Sequence, residues 1–230
     1  KRILNDIHLA NEAAQGVNAT PQGSLSITAP LLFGQQFVIP SVLEYLNTYP
    51  KTEVNTVFLD RMVNLLEEGF DVGIRIGNLT DSSMRAKKVG AVRLSLVASP
   101  EYLKLYGIPQ HYSELAQHSL IKVQAGNLNP DWKFVENGKV INQHISSNLI
   151  VNSHQAAINA AVSNFGIARV ISYQITNELA QNKLKFILET FEEPTLPINI
   201  IHREDRLSSA KVRSFIDLLA TNLQSNTSFN

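Results

Sequence analysis

The feature that most constrains the fold is an alternation of β-type and helical stretches that begins at Gly23. Strand-like stretches are rich in β-branched residues or alternate in polarity, whereas the stretches between them have helical apolar spacing. In chain order, the predicted elements are a strand at 24–29, a helix at 33–49, a strand at 52–59, a helix at 61–68 closed by Gly69, and a strand at 71–76. Strands that alternate with helices favour a parallel α/β sheet over a β-sandwich or a helical bundle.

A second series with the same character follows, and it predicts a second α/β lobe. Its elements are a strand at 93–99, a helix at 101–107, a β-rich middle with a turn at 136–139, a helix at 153–164, a strand at 166–171 and a helix at 176–182. A late strand at 198–202 and an amphipathic helix at 209–223 end the pattern. The chain is therefore predicted to form two α/β lobes.

Composition and motifs argue against several classes of function. The 20 basic and 20 acidic residues cancel, so no strong charge marks this segment for nucleic acid or an anionic membrane. The chain has no cysteine, which excludes disulfides and thiolate chemistry, and its six histidines lack the spacing of metal ligands. No GxSxG, GxGxxG or Walker pattern occurs. We therefore predict no catalytic site, no metal and no cofactor.

One arginine stands out because it interrupts the apolar pattern of the third predicted strand. Period-two alternation places Asp71, Gly73 and Arg75 on one face of that strand, with Arg75 near its carboxyl end. Ligands of open α/β sheets bind outside the carboxyl ends of the strands. Arg75 is thus a candidate for binding an anionic ligand, and the alternative is an internal ion pair with Asp60 or Asp81.

Five stretches together resemble the effector-binding domain of LysR-type transcriptional regulators. They are 23–34, the step 49–50, 58–90, 96–103 and 208–219. The most specific feature is the block GFDVGIRIG…DSS and its spacing to ASPEYL, and the resemblance covers nearly the whole chain from Gly23 onward. It implies an α/β fold like that of the type II periplasmic binding proteins. Two Rossmann-like lobes would be joined by two crossover strands, with a small effector bound in the cleft between them.

The resemblance also implies a division of the chain and a set of partners. Residues 1–20 would be the end of a linker helix and a linker, 21–92 and 199–225 lobe I, 93–198 lobe II, and 226–230 a tail. The winged helix-turn-helix domain that contacts DNA would precede Lys1 and is absent from this chain. We expect a cytoplasmic homodimer or homotetramer that binds a small organic anion, with no membrane contact.

Three segments of the chain match effector-binding segments of the family. They are Thr28, Ala29, Pro30 and Phe33; Arg75 and Gly77; and Asn152 and Ser153. Amide groups at a helix start bind anions, and a guanidinium binds a carboxylate through two hydrogen bonds. Each segment also has a simpler interpretation, namely a strand-to-helix turn, an ion pair and a helix cap. Arg169, a second cation on a predicted strand, is left outside the predicted site.

Two other classes of protein remain as alternatives. A periplasmic solute-binding protein would share the fold, so the fold alone does not separate it from a regulator. An enzyme on this scaffold would need an acid, base or nucleophile that the sequence does not offer. The apolar stripe of Phe33, Phe37, Leu43 and Leu46 is either part of a dimer contact or the core-facing side of a helix.

Overall fold

The computed structural model describes residues 20–61, 63–79, 84–124, 131–203 and 209–229. The predicted linker helix of Lys1–Gln15 and the carboxylate of Asp81 lie outside these residues. Within them, the chain forms two sets of strands, each flanked by helices. The predicted α/β class is thereby confirmed.

The strands account for both sheets and one hairpin of the described chain. They are β1 (Gly23–Ala29), β2 (Thr52–Phe58), β3 (Val72–Ile76), β4 (Arg85–Val92), β5 (Leu94–Ala98), β6 (Leu120–Val123), β7 (Asp131–Glu136), β8 (Lys139–His144), β9 (Leu149–Val151), β10 (Ile167–Ile171), β11 (Lys185–Ile187) and β12 (Leu196–His202).

The helices are mostly short, apart from one near each end of the described chain. The α-helices are α1 (Leu31–Phe33), α2 (Ile39–Thr48), α3 (Leu65–Glu68), α4 (Pro100–Tyr106), α5 (His154–Val162), α6 (Thr176–Ala180) and α7 (Ala210–Gln224). A π-helical turn (Gly34–Val38) joins α1 to α2. The 3-10 turns are Tyr112–Gln117, Ser172–Ile175, Glu189–Phe191 and Thr227–Phe229.

The chain divides into two compact units, which we call lobe I and lobe II. Lobe I holds the described residues up to Ala91 and from Pro197 onward, and lobe II spans Val92–Leu196. The strand order is β2-β1-β3-β12-β4 in lobe I and β11-β5-β10-β6-β9 in lobe II, where β7 and β8 form a separate hairpin. The chain crosses between the lobes at the end of β4 and at the start of β12.

In lobe I the first three strands run parallel and bring their carboxyl ends to one edge. β1 pairs in parallel with β2 and β3, while β12 runs antiparallel to β3. The sheet is covered on both faces: Ile74 is fully buried in the core, and the Leu65 and Ile201 side chains pack over Gly73. A methyl group on Gly73 would approach Leu65 Cδ1 at 3.1 Å, so the small residue permits close packing of α3.

Lobe II has its own aromatic core. Trp132 and Phe134 are buried beside the stacked ring of Tyr112, which lies 4.9 Å from Phe134 between ring centroids. Its main sheet is mixed, because β5 is antiparallel to β10 and β11 whereas β6 is parallel to β10 and β9. The lone tryptophan thus serves packing within this lobe.

One predicted helix of lobe I begins later in the structure, and one strand of lobe I was not predicted. The helix expected at 61–68 begins only after Asn64, whose Oδ1 accepts hydrogen bonds from Leu66 N and Glu67 N at 3.0 and 3.3 Å. Asparagine favours this cap because its side chain satisfies amides that lack intrahelical partners. Strand β4 lies at the edge of the sheet and carries exposed lysines, as edge strands often do. Its sequence therefore lacks the apolar alternation by which the other strands were predicted.

The residues near the C-terminus pack into lobe I, although sequence analysis assigned 226–230 to a tail. Phe229 is 1% exposed, and its ring centroid lies 4.8 Å from Phe37 and 5.6 Å from Phe33. These two residues of the apolar stripe therefore pack inside the lobe, whereas Leu43 is 57% exposed. Gly90 lies beneath the ring, where a Cβ would come within 2.7 Å of Phe229 Cβ.

We expect Phe229→Ala to lower the free energy of unfolding by about 3 kcal/mol, because it removes a buried ring and leaves a cavity. Urea unfolding followed by circular dichroism measures this change. Phe165→Ala is the matched control, since Phe165 is 41% exposed and should change the unfolding free energy by about 0.5 kcal/mol or less. Equal effects of the two substitutions would contradict the packing role of Phe229.

Candidate functional site

Arg75 lies near the carboxyl end of β3, on the face of the sheet that α3 covers. Its Nη2 donates a hydrogen bond to the carbonyl of Val63 at 2.9 Å, and Nη1 reaches the carbonyl of Ile74 at 3.4 Å. Val63 belongs to the loop that leads into α3, so this loop holds the guanidinium in place. Within the described residues these are the hydrogen bonds that Arg75 makes, and a guanidinium has five N–H donors in all.

No carboxylate among the described residues forms an ion pair with Arg75. The nearby Glu68 gives both carboxylate oxygens to Arg61, at 2.8 and 2.6 Å. Asp60, one of the two predicted partners, instead accepts the amide of Leu31 through Oδ1 at 2.9 Å. Burial lowers the pKa of Arg75, and the charge of Glu68 offsets this effect only in part. The guanidinium is therefore a half-buried cation without a paired acid in the described structure.

A pocket of about 370 Å³ opens beside Arg75, and the described residues that line it all belong to lobe I. Its apolar lining is Val63, Leu65, Ile76, Leu79, Met84 and Ile201. The polar lining consists of Arg75, Asn64, Asn78 and the backbone of Gly77. A mostly apolar cavity with a few polar groups has the character and size of a small-molecule site.

Gly77 shapes the turn that ends β3 at this pocket. Its φ of 112° lies in a region that side chains rarely adopt. The amide of Gly77 donates to the carbonyl of Pro197 at 2.9 Å, which anchors the turn to β12. Of the predicted site residues, the structure thus brings Arg75 and Gly77 together at one pocket.

The predicted segment at the start of α1 is largely internal. Thr28, Ala29 and Phe33 expose no surface, and Pro30 is half-buried and precedes the first helical turn. The carboxylate of Asp60 occupies the first amide of this helix, at Leu31 N. An internal anion therefore already satisfies that amide.

The predicted segment of lobe II lies at the start of α5. Ser153 is the N-cap residue of this helix, but its side chain makes no capping hydrogen bond, and Asn152 is exposed. Neither residue is among those described as lining the Arg75 pocket. Ser153 thus does not cap the helix through its side chain, and both residues stay predicted ligand contacts.

Arg169, the other arginine on a strand, has a different environment. Its Nη2 donates to Glu193 Oε2 at 2.7 Å and to the carbonyl of Lys133 at 2.9 Å, and its side chain is 13% exposed. Burial lowers the pKa of Arg169 while Glu193 opposes that shift. Arg169 thus forms a structural ion pair within lobe II and is not available to bind a ligand.

Sequence reasoning missed most of the pocket lining. Met84 and Ile201 carry no polar signal, and Ile201 is also far from Arg75 along the chain, so only the pairing of β12 with β3 reveals the place of Ile201. In the parts of the chain that the structure describes, no cluster of His, Asp or Glu is placed to hold a metal ion. No helix within the same parts is long and apolar enough to cross a bilayer.

Comparison with known proteins assigns the family. Residues 18–224 match the LysR substrate binding domain. The chain is 29% identical over 214 residues to an HTH-type transcriptional regulator of Haemophilus influenzae, covering 91% of this chain and 73% of that protein. It is 28% identical over 228 residues to the HTH-type transcriptional regulator CrgA of Neisseria meningitidis, covering 98% and 76% of the two chains.

Solved structures agree with the sequence match. The regulatory domain of CrgA superposes with a TM-score of 0.77 at 27% identity and covers 88% of this chain and 100% of that one. Full-length CrgA gives a TM-score of 0.80, also at 27% identity, with 98% and 76% covered. The fold is therefore that of the type II periplasmic-binding-protein-like regulatory domains.

The chain belongs to the LysR family of transcriptional regulators and corresponds to their substrate-binding domain. Its relatives are regulators and not enzymes, so the predicted absence of catalysis stands. The family assignment also decides against the solute-binding protein that sequence analysis kept as an alternative.

The two half-buried arginines should respond differently to replacement by methionine. We expect Arg169→Met to lower the free energy of unfolding by about 3 kcal/mol at pH 7, because Glu193 would keep a half-buried charge without its partner. Arg75→Met should change it by less than about 1 kcal/mol, since no described carboxylate loses a partner. Urea unfolding of both variants measures the difference, and an equal loss would contradict the distinction.

Proposed function

We propose that this domain binds a small organic anion, a carboxylate, at Arg75, and that binding modulates transcription through a DNA-binding domain of the full-length regulator. The observation that carries the proposal is a half-buried guanidinium that lines a mostly apolar pocket and has no described acid as a partner. Gly77 contributes the turn beside it, and Asn152 and Ser153 remain proposed contacts from lobe II.

The chemistry of the guanidinium favours a carboxylate. Arg75 already donates to two backbone carbonyls, which fix the plane of its fork. A carboxylate can accept two parallel hydrogen bonds from such a fork, and charge-assisted bonds of this kind are about twice as strong as neutral ones. Because burial removes part of the water around Arg75, an anionic ligand would replace lost solvation as well as form new contacts.

The effect on transcription would arise by linkage. An effector changes the DNA-bound state only by its differential affinity for two arrangements of the protein, commonly about 1–3 kcal/mol. The matched relatives are HTH-type regulators, of which this chain covers 73% and 76%. We propose that the DNA contact lies in a helix-turn-helix domain of the full-length protein, which acts as a homo-oligomer in the cytoplasm.

A thermal-shift screen tests the proposal. At a ligand concentration of about 100 times the dissociation constant, a carboxylate should stabilise the parent by about 2.7 kcal/mol, and the corresponding amide should not. Arg75→Ala should keep the fold and lose the response. Arg93→Ala is the control, since Arg93 lies in lobe II and pairs with Glu189 on an exposed surface. An equal response of Arg75→Ala and parent to every carboxylate would exclude Arg75 as the anion-binding group.

A further inference from the structure

We infer that the Arg75 pocket selects a monocarboxylate with an apolar body and rejects dicarboxylates. The inference rests on the proposed function and adds the chemical class of the effector. It follows from how one cation, two amide side chains and the apolar wall are distributed around the pocket.

The pocket offers positive charge at one place. Arg75 is the only charged side chain among the described residues that line it. The guanidinium of Arg61, whose charge acts on Arg75, binds Glu68 through two hydrogen bonds. One carboxylate can therefore be neutralised in this pocket, by Arg75.

A second carboxylate would meet unfavourable surroundings. Glu68 and Arg61 pair with each other, so together they offer no positive charge to a second carboxylate. The amides of Asn64 and Asn78 can form hydrogen bonds but cannot neutralise a charge. An unpaired carboxylate taken out of water carries a large desolvation penalty, so the second charge would weaken binding.

The rest of the pocket suits an apolar body. Leu79 is 40% exposed, and Met84 beside it in the pocket lining is half-buried, so a ligand seated there would remove apolar surface from water. Methionine adapts its shape to different apolar groups. Ile201 and Leu65 also line the pocket, and both pack over Gly73. Linear, branched or aromatic apolar bodies all meet these requirements.

The amide side chains add a condition on polar substituents. Asn64 uses Oδ1 to cap α3, which leaves its Nδ2 as a donor at the pocket, and Asn78 makes no hydrogen bond within the described structure. Both can pair with a neutral hydroxyl or carbonyl on the ligand. A neutral polar group is therefore compatible with binding, whereas a second anionic group is not.

Calorimetric titration with four simple probes tests this inference. Hexanoate and benzoate should bind at least roughly tenfold more tightly than acetate, because each added methylene buries apolar surface. Adipate, which matches hexanoate in carbon number and adds one carboxylate, should bind at least roughly tenfold more weakly than hexanoate. Arg75→Ala should abolish all of this binding.

A designed change of charge gives the sharper test. Leu79→Arg should place a second cation at the exposed rim of the pocket and raise the affinity for adipate relative to hexanoate by roughly tenfold or more. Leu43→Arg is the control, since Leu43 is an exposed leucine on α2 that does not line the pocket, and it should leave the ratio unchanged. Equal shifts in both variants would overturn the inference.

The outcomes separate this inference from the proposed function. If adipate binds as tightly as hexanoate, or if acetate matches hexanoate, and Arg75→Ala still abolishes binding, the effector class is wrong and the anion site stands. If none of the four probes binds the parent, both are overturned. Binding that persists in Arg75→Ala also overturns both.

Discussion

The account of this domain depends on one electrostatic constraint, the desolvation of the Arg75 guanidinium without a paired acid in the described structure. Removing a cation from water is unfavourable unless hydrogen bonds and opposite charge replace the lost solvation. The carbonyls of Val63 and Ile74 supply part of that replacement, and Glu68 supplies a weak field while it is bound to Arg61. The guanidinium is thus held in a fixed orientation while its charge is only partly compensated. An anion gains most from binding to a cation in this state.

The contrast among three arginines shows that the surroundings of each guanidinium decide its role. Arg61 is exposed and pairs with Glu68, a contact of the kind that contributes little to stability. Arg169 is more deeply buried and paired with Glu193, so its charge is used within lobe II. Arg75 combines burial with the absence of a described acidic partner. Only this combination leaves a charge for a ligand, and the pocket beside it provides the space.

Local patterns predicted the fold well where secondary structure is set by near neighbours. The first three strands of lobe I and the face of Arg75 follow from alternation and from glycine positions. Long-range choices could not be predicted in this way. That Asp60 would occupy the Leu31 amide, or that Phe229 would fill the space above Gly90, depends on packing between segments that are distant along the chain. The pocket lining is of the same kind, because Ile201 reaches Arg75 through the pairing of β12 with β3.

The most direct measurement is a crystal structure of the chain with hexanoate. The account predicts the carboxylate on the guanidinium of Arg75, at about 2.7–2.9 Å from its nitrogens, with the carbon chain against Leu79 and Met84. Hexanoate bound elsewhere, with Arg75 keeping only its bonds to the Val63 and Ile74 carbonyls, would contradict it.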